Sequence, residues 1–244
     1  MAEEHLSNAQ RFLSAYNEID EQLHELAGED RYRGFRQMVD RQAQEHPVVR
    51  AYAQDLRAFG ELRNIIVHEE RDGQLIAEPN GWSVRRIETI ELLLRDPPLV
   101  CPHFERDVYT RSPDDSLSSA VRAIYRQGFS QVPVFDDRDF VGLLSAKTIA
   151  RWLGAHADDG EAALTETMVG AVLRYAESEE DYQFVSRETT VVDAVVRFQE
   201  TNRRGRRLRA LLITDDGRPT EQLVGIMTVF DLPQAYALLG PIFD

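Results

Sequence analysis

Two stretches of the sequence combine residue types that could bind a nucleotide or act on a phosphate. The first holds Thr228 and Asp231 in residues 225–231, which follow an apolar run and precede a helical pattern, so a strand is predicted to turn into a helix there. Backbone N–H groups at such a turn favour an anion, and the Thr228 hydroxyl adds a donor. Asp231 would repel phosphate, but its carboxylate can accept hydrogen bonds from two ribose hydroxyls. Thr228 and Asp231 together suit a nucleotide.

The same pair could instead serve only as a helix cap. Thr228 would be the N-cap, and Asp231, three residues on, would take the role that Glu or Gln usually has in a capping box. Pro233 argues against a helix that starts at Thr228, because the proline would lie inside the hydrogen-bonded ladder. A helix capped by Asp231 would place Pro233 in the tolerated first turn.

The second stretch is residues 62–70, where Arg63, Asn64 and His68 come together at the end of a predicted helix. Asn64 and His68 are four residues apart and share a helix face, and the Arg63 side chain is long enough to reach the same place. A purely structural interpretation also stands. A histidine near a helix C-terminus complements the helix dipole, and Glu69 could pair with it or with Arg71.

The turn at residues 225–231 belongs to a unit that occurs twice. Residues 141–148 match residues 224–231 position by position, and residues 117–121 match residues 191–195. Each copy is predicted to contain a strand, a helix, two strands, the glycine-containing turn and a final helix. In the first copy the strand 108–110, the helix 116–127, the strands 131–136 and 140–145, and a helix through Trp152 are expected.

This repeat resembles a tandem pair of cystathionine-β-synthase-type (CBS) domains over roughly residues 99–240, and residues 131–136 are similar to that family's second strand. The resemblance implies an adenine nucleotide (AMP, ADP or ATP) bound at Thr228 and Asp231. It also implies a degenerate first copy, because Thr148 stands where the second copy has Asp231. Arg206, Arg207 and Arg209 precede a strand whose entry borders the phosphate side of the family's site, so they bind phosphate or form an ordinary solvated loop.

Residues 1–96 are predicted to form a helical bundle, with helices over 3–27, 30–46, from Pro47 onwards and over 83–95. The motif around Arg63 and its place in such a bundle resemble the HEPN (higher eukaryotes and prokaryotes nucleotide-binding) domains. Many of these are dimeric, metal-independent ribonucleases. The resemblance implies a role for each residue: His68 transfers protons, Arg63 stabilises charge on the phosphate, and Asn64 orients either His68 or Arg63.

Composition narrows the class of protein. Of 244 residues 43% are hydrophobic, no apolar run approaches the ~18 residues of a membrane span, and Cys101 is the single cysteine, so a soluble cytoplasmic protein without a membrane partner is expected. The charge of −14 divides evenly, with 12 arginines against 19 acidic residues in 1–96 and 16 basic against 23 acidic residues beyond. Neither half has the positive footprint of a general nucleic-acid binder. Walker, Cys-x-x-Cys and zinc patterns are absent, so no metal is expected.

The predicted fold class is α+β: an all-α helical bundle (1–96), a first CBS motif (97–157), and a linker with the second CBS motif (158–244). One functional hypothesis is a nucleotide sensor that regulates a possible metal-independent endoribonuclease acting on RNA. The other is a non-catalytic regulatory or adaptor protein whose helical domain only dimerises or binds a partner. A homodimer is expected from both resemblances.

Overall fold

The computed structural model describes residues 6–28, 34–68, 70–71, 74–75, 78–157, 161–176, 182–203 and 207–240. Its α+β fold class agrees with the prediction. Among these residues no helix is both long and apolar enough to span a membrane. The chain divides into two compact units, one formed by Met1–Pro98, Thr190–Val196 and Pro233–Asp244, and the other by Leu99–Thr189 and Arg197–Leu232.

The first unit is built on four helices that bury apolar stripes against one another. They are α1 (Asn8–Ala27), α2 (Phe35–Glu45), α3 (Pro47–His68) and α4 (Gly81–Arg95). A short hairpin of β1 (Glu70–Arg71) and β2 (Gln74–Leu75) lies between α3 and α4 in the sequence. The apolar side chains that α3 buries are Val48, Tyr52, Leu56, Phe59 and Ile66. Local signals fix the ends of α1: Ser7 and Gln10 form a capping box, and Gly28 closes the helix with φ 57°.

The remaining elements of the chain follow the predicted repeat. The first copy contains α5 (Val100–His103), α6 (Leu117–Gln127), β3 (Gln131–Asp136), β4 (Asp139–Ser145) and α7 (Ala146–Ala155). Two short helices of the linker are α8 (Glu161–Glu166) and α9 (Val169–Leu173). The second copy contains β5 (Tyr182–Ser186), α10 (Val191–Arg203), β6 (Ala210–Thr214), β7 (Gly225–Thr228), a 3-10 turn (Val229–Asp231) and α11 (Leu232–Leu239).

Two small sheets carry the second unit. β3 and β4 pair antiparallel with an irregularity at Val134/Phe135. In the other sheet, β6 lies between β5, which is parallel to it, and β7, which is antiparallel. The parallel pair is joined through α10, because parallel neighbours need a crossover connection. All five residues of β6 are buried, as expected for the central strand.

The prediction of a strand at residues 108–110, the first strand of the first copy, is wrong. Residues 108–110 make no ladder, and only Arg111 forms a parallel bridge, to Val134. The Arg111 N–H donates to the Pro133 carbonyl and the Phe135 N–H donates to the Arg111 carbonyl. Pairing is confined to this residue, so Val108 and its neighbours are free to line cavities instead.

Candidate functional site

The turn after β7 holds Thr228 and Asp231 in direct contact. Asp231 Oδ2 accepts hydrogen bonds from the Thr228 backbone N–H at 2.7 Å and from the Thr228 hydroxyl at 2.9 Å. The Thr228 Oγ1 also accepts a hydrogen bond from the Phe230 N–H at 3.3 Å. The capping box considered from the sequence is therefore present.

Pro233 does not oppose this cap, so that part of the sequence argument was wrong. The capped element is a single 3-10 turn, and α11 begins only at Leu232. Pro233 thus lies in the first turn of α11, where its missing N–H is not needed. The structural and ligand-binding roles of Thr228 and Asp231 are compatible, because Oδ1 of Asp231 lies outside the cap.

Arg106 is the site residue that sequence reasoning missed. Its Nη2 donates to Asp231 Oδ1 at 2.8 Å and to the Ile226 carbonyl at 2.6 Å. The Asp231 side chain is 14% exposed and that of Arg106 is 43% exposed, so the pair lies at the surface end of the turn. A charge-assisted hydrogen bond of this kind fixes the orientation of the Asp231 carboxylate.

Gly225 is what allows Arg106 to reach the turn. Glu105 bridges antiparallel to Gly225, and the Arg106 N–H donates to the Val224 carbonyl at 3.2 Å. A Cβ at position 225 would overlap the backbone carbonyl of Phe104. Glycine is therefore required by this close approach of two backbones, which is a packing role in addition to the turn.

A cavity of about 230 Å³ opens beside these residues. Thr228, Phe230, Asp231 and Arg106 form one side. The other side comes from the segments before α6 and between α6 and β3, namely Asp107, Val108, Tyr109, Gly128, Phe129, Ser130, Gln131 and Pro133. The lining thus combines polar groups with aromatic and apolar side chains, as small-molecule sites commonly do.

A larger cavity of about 650 Å³ adjoins the first through Asp107 and Val108, but its lining is a poor match for phosphate. Its ionisable residues are Asp107, Asp137, Asp215 and Glu221, against the single cation Arg138. Such a wall repels anions. The smaller cavity, which carries the sequence motif and Arg106, is the better nucleotide candidate despite its size.

The corresponding turn of the first copy is closed on itself. Ser145 caps α7 by accepting from the Thr148 N–H at 3.1 Å, and the two hydroxyls lie 2.9 Å apart. Both residues are buried. The turn therefore presents no carboxylate at position 148 and buries both hydroxyls; that the first copy is degenerate stays a prediction.

Of the arginines predicted to bind phosphate, Arg207 and Arg209 are described, and neither is among the residues that line the two cavities. Arg207 is exposed, and the backbone carbonyl of Arg209 accepts a hydrogen bond at 3.1 Å from Nε2 of Gln131, a residue that lines the smaller cavity. Arg206 lies outside the described residues. Their role in phosphate binding stays a prediction.

Of the second predicted constellation, Arg63 and Asn64 are neighbours near the end of α3. Arg63 Nη1 donates to Asn64 Oδ1 at 3.4 Å, and the Arg63 guanidinium lies 5.8 Å from the centre of the Tyr16 ring. His68 is the last residue of α3, and its side chain is outside the described part of the structure. Among the described residues no group of three or more His, Cys, Asp or Glu could hold a metal ion.

Residues 105–155 and 177–237 match the protein family described as CBS domain. Similar solved structures include a CBS-domain protein of Agrobacterium tumefaciens, 24% identical, covering 53% of this chain and 90% of that one with a TM-score of 0.37. CBSX2 in complex with AMP is 19% identical, with coverages of 57% and 95% and a TM-score of 0.41. The CBS pair of protein MJ0100, in complex with 5′-methylthioadenosine and S-adenosyl-L-methionine, is 15% identical, with coverages of 58% and 97% and a TM-score of 0.43.

A curated relative, the homoserine O-acetyltransferase of Methanohalophilus mahii, is 34% identical over 88 residues. The match covers 34% of this chain, and the chain spans 16% of the length of that relative.

Proposed function

We propose that the tandem pair of CBS domains in residues 105–237 binds one adenine nucleotide, AMP, ADP or ATP, and thereby regulates the attached helical unit. The observation that carries the proposal is the meeting of a carboxylate (Asp231), a hydroxyl (Thr228) and a guanidinium (Arg106) at the mouth of one cavity. These three groups match the ribose hydroxyls and the phosphate of a nucleotide.

Each group has a defined role in this proposal. Asp231 accepts the two ribose hydroxyls, the apolar wall around Val108 and Pro133 takes the base, and Arg106 binds the phosphate. Within the chain Asp231 Oδ2 accepts two hydrogen bonds, and Oδ1 accepts one from Arg106. A carboxylate has about four acceptor positions, so only one is left. Two ribose hydroxyls need two positions, so a ribose has to displace Arg106 from Oδ1. Binding therefore frees the guanidinium for the phosphate.

One site per chain follows from the difference between the copies. Thr148 replaces the acid and is buried against Ser145, whereas Asp231 faces a cavity. The direct test is mass spectrometry of small molecules that copurify with the full chain. We expect an adenine nucleotide with the wild type and its loss with Asp231→Ala. A different ligand class, or the same nucleotide at equal occupancy in both proteins, would contradict the proposal.

For the helical unit we propose metal-independent RNA cleavage by Arg63, Asn64 and His68. The observation that favours it is the state of Arg63: its Nε is buried and makes no hydrogen bond to the described residues. A partly buried guanidinium with open donors suits a scissile phosphate. His68 would exchange a proton with the 2′-hydroxyl or the leaving oxygen, and Asn64 would orient Arg63 or His68.

The reaction is a transesterification within the RNA. The 2′-oxygen bonds to phosphorus while the bond from phosphorus to the 5′-oxygen breaks. One proton leaves the 2′-hydroxyl and another reaches the 5′-oxygen, giving a cyclic phosphate and a 5′-hydroxyl. His68→Ala is expected to cut this cleavage ~100-fold or more in EDTA, as for a lost general acid–base group.

The second candidate is a non-catalytic adaptor whose helical unit only dimerises or binds a partner. The observation that favours this adaptor is the cation–π contact of Arg63 with Tyr16, because such a contact gives Arg63 a structural role without catalysis. RNA cleavage with and without nucleotides separates the two candidates. Uncut RNA under both conditions, or equal cleavage by the His68→Ala variant, would leave the adaptor. Light scattering tests the proposed homodimer, and a monomer at micromolar concentration would remove any mechanism that needs two chains.

A further inference from the structure

A second group of ionisable side chains lies on α1, in the first unit. Tyr16, Asp20 and His24 follow one another at intervals of four residues, so they occupy one face of the helix. Arg63 of α3 lies against this face, with its guanidinium over the Tyr16 ring at 5.8 Å. An acid, an imidazole, a phenol and a guanidinium are thus gathered between two packed helices of the first unit.

The charges of this group act on one another. Asp20 Oδ1 and His24 Nε2 are 3.7 Å apart, and each side chain is 24% exposed. Burial raises the pKa of Asp20, while the nearby charges of His24 and Arg63 lower it. Burial is the larger effect, so the pKa of Asp20 is raised overall, and the neighbouring His24 and Arg63 favour its ionised form.

The hydrogen bonding of the group is incomplete within the described residues. Asp20 Oδ1 and Arg63 Nε are both buried, and neither makes a hydrogen bond there. The one hydrogen bond of the Arg63 guanidinium that the described residues supply is the long contact of 3.4 Å to Asn64. Buried polar atoms of folded proteins are nearly always satisfied, so each exception needs an explanation. A phosphate could satisfy the Arg63 N–H, which is a donor, but not Asp20 Oδ1, which is an acceptor. The Tyr16 ring lies against the face of the guanidinium, so it positions Arg63 without using the in-plane N–H groups that a phosphate would bind.

We propose that Asp20, His24 and Arg63 form a binding site for one phosphate of an RNA backbone. The proposal rests on the RNA-directed function proposed for the helical unit and deepens it by adding α1 to the binding face. Arg63 donates two parallel hydrogen bonds to phosphate oxygens, and Tyr16 holds the guanidinium plane. His24 donates a third hydrogen bond, and Asp20 keeps the imidazole in place.

Charge balance favours a phosphodiester over a free phosphate. Arg63 contributes one positive charge, His24 can contribute at most one more, and Asp20 contributes one negative charge, so the net charge of the three side chains is at most +1. A backbone phosphodiester carries a single negative charge and matches this value, whereas the end of a free nucleotide carries more. Asp20 would repel the excess.

The test measures binding without cleavage, so its outcome does not depend on whether the protein is a nuclease. The probe is a fluorescein-labelled RNA oligomer with every 2′-hydroxyl methylated, which removes the attacking group. Anisotropy titrations use the full chain and the variants Arg63→Gln and His24→Gln. We expect Arg63→Gln to weaken binding by about 10-fold, as for a lost bidentate contact, and His24→Gln by about 3-fold.

Matched controls are Glu21→Gln, which removes an exposed acid of the same helix, and Arg36→Gln, which removes an exposed arginine of α2. Both should bind the RNA within about 2-fold of the wild type, because neither faces the cluster. Equal RNA affinity of Arg63→Gln and the wild type would overturn the proposal.

A second measurement covers the case in which Arg63→Gln does not fold. The ring signals of His24 are followed by NMR in the wild type and assigned with His24→Gln. Saturating RNA is expected to shift them, and inorganic phosphate or ATP at the same concentration is not. Ring signals that stay in place with RNA would overturn the site. An equal shift with inorganic phosphate or ATP would overturn the assignment to RNA.

Discussion

The guanidinium of Arg106 and the carboxylate of Asp231 meet at 2.8 Å although the two residues are 125 positions apart in the chain. The same Nη2 also donates to the Ile226 carbonyl, so Arg106 ties the end of β7 to the turn that follows it. A nucleotide that uses Asp231 Oδ1 for its ribose must compete with this contact. We therefore expect nucleotide binding to change the hydrogen-bond partner of Arg106.

Arg106→Gln is predicted to separate phosphate recognition from ribose recognition. Affinity for AMP should fall about 10-fold, because a charge-assisted contact to phosphate is lost. Affinity for adenosine should stay the same or rise, because Arg106 no longer competes for Asp231. Calorimetric titration with both ligands makes the comparison. Arg126→Gln is the control, since Arg126 is exposed on α6 and lines neither cavity described above. Equal losses for AMP and adenosine would show that Arg106 only supports the fold.

Thr148→Ala is predicted to affect stability but not nucleotide binding. Thr148 is buried, and its hydroxyl pairs with the Ser145 cap of α7 at 2.9 Å, so its loss should lower the free energy of unfolding by about 1 kcal/mol. Nucleotide affinity should remain within about 2-fold of the wild type, because the first copy lacks the carboxylate that a ribose requires. Denaturant unfolding and calorimetry measure the two quantities. A large loss of affinity without a loss of stability would place a ligand at the first copy.

The loop between β6 and β7 is predicted to lose stability in acid through Glu221. Its carboxylate accepts from the Asp216 N–H at 2.8 Å and the Arg218 N–H at 3.3 Å. The Asp216 hydrogen bond chiefly lowers the pKa of Glu221 below its ordinary value of 4.5. A carboxyl whose folded pKa is lowered stabilises the fold above its unfolded pKa, and this contribution disappears as the pH falls through the folded pKa.

Glu221→Gln should therefore have a lower Tm than the wild type at neutral pH, and the two curves should converge as the pH falls through the lowered pKa of Glu221. Glu188→Gln, at an exposed acid of the same unit, is the control and should follow the wild type throughout. A Tm difference between Glu221→Gln and the wild type that is the same at pH 3 and pH 7 would contradict the prediction. It would mean that the charge of Glu221 does not contribute to the stability of the loop.

The sequence predicted those structural features that depend on short-range patterns of residues. The helices α1 to α4, the elements of the repeat and the turn with Thr228 and Asp231 depend on residues a few positions apart, and the structure contains them apart from the strand predicted at 108–110. Pro233 was misread because the first turn is 3-10, a distinction that spacing alone does not reveal.

Long-range relationships were out of reach. Nothing near Arg106 in the sequence indicates that it meets Asp231, because the contact depends on the pairing of Glu105 with Gly225. The four-residue spacing of Tyr16, Asp20 and His24 is visible in the sequence, but Arg63 joins them only through the packing of α3 on α1. Both candidate sites needed the tertiary structure to complete them.

The central claim is that the turn after β7 holds the ribose of an adenine nucleotide. Calorimetric titration of the full chain with AMP, ADP and ATP, repeated with Asp231→Ala, tests it most directly. Removing hydrogen bonds to a charged group should weaken binding by about 1.5 to 3 kcal/mol, or roughly 10- to 150-fold. Asp114→Ala, at an exposed acid away from both cavities, should bind like the wild type. The account predicts one nucleotide per chain with that loss for Asp231→Ala; unchanged affinity of Asp231→Ala for every nucleotide that binds the wild type would contradict it.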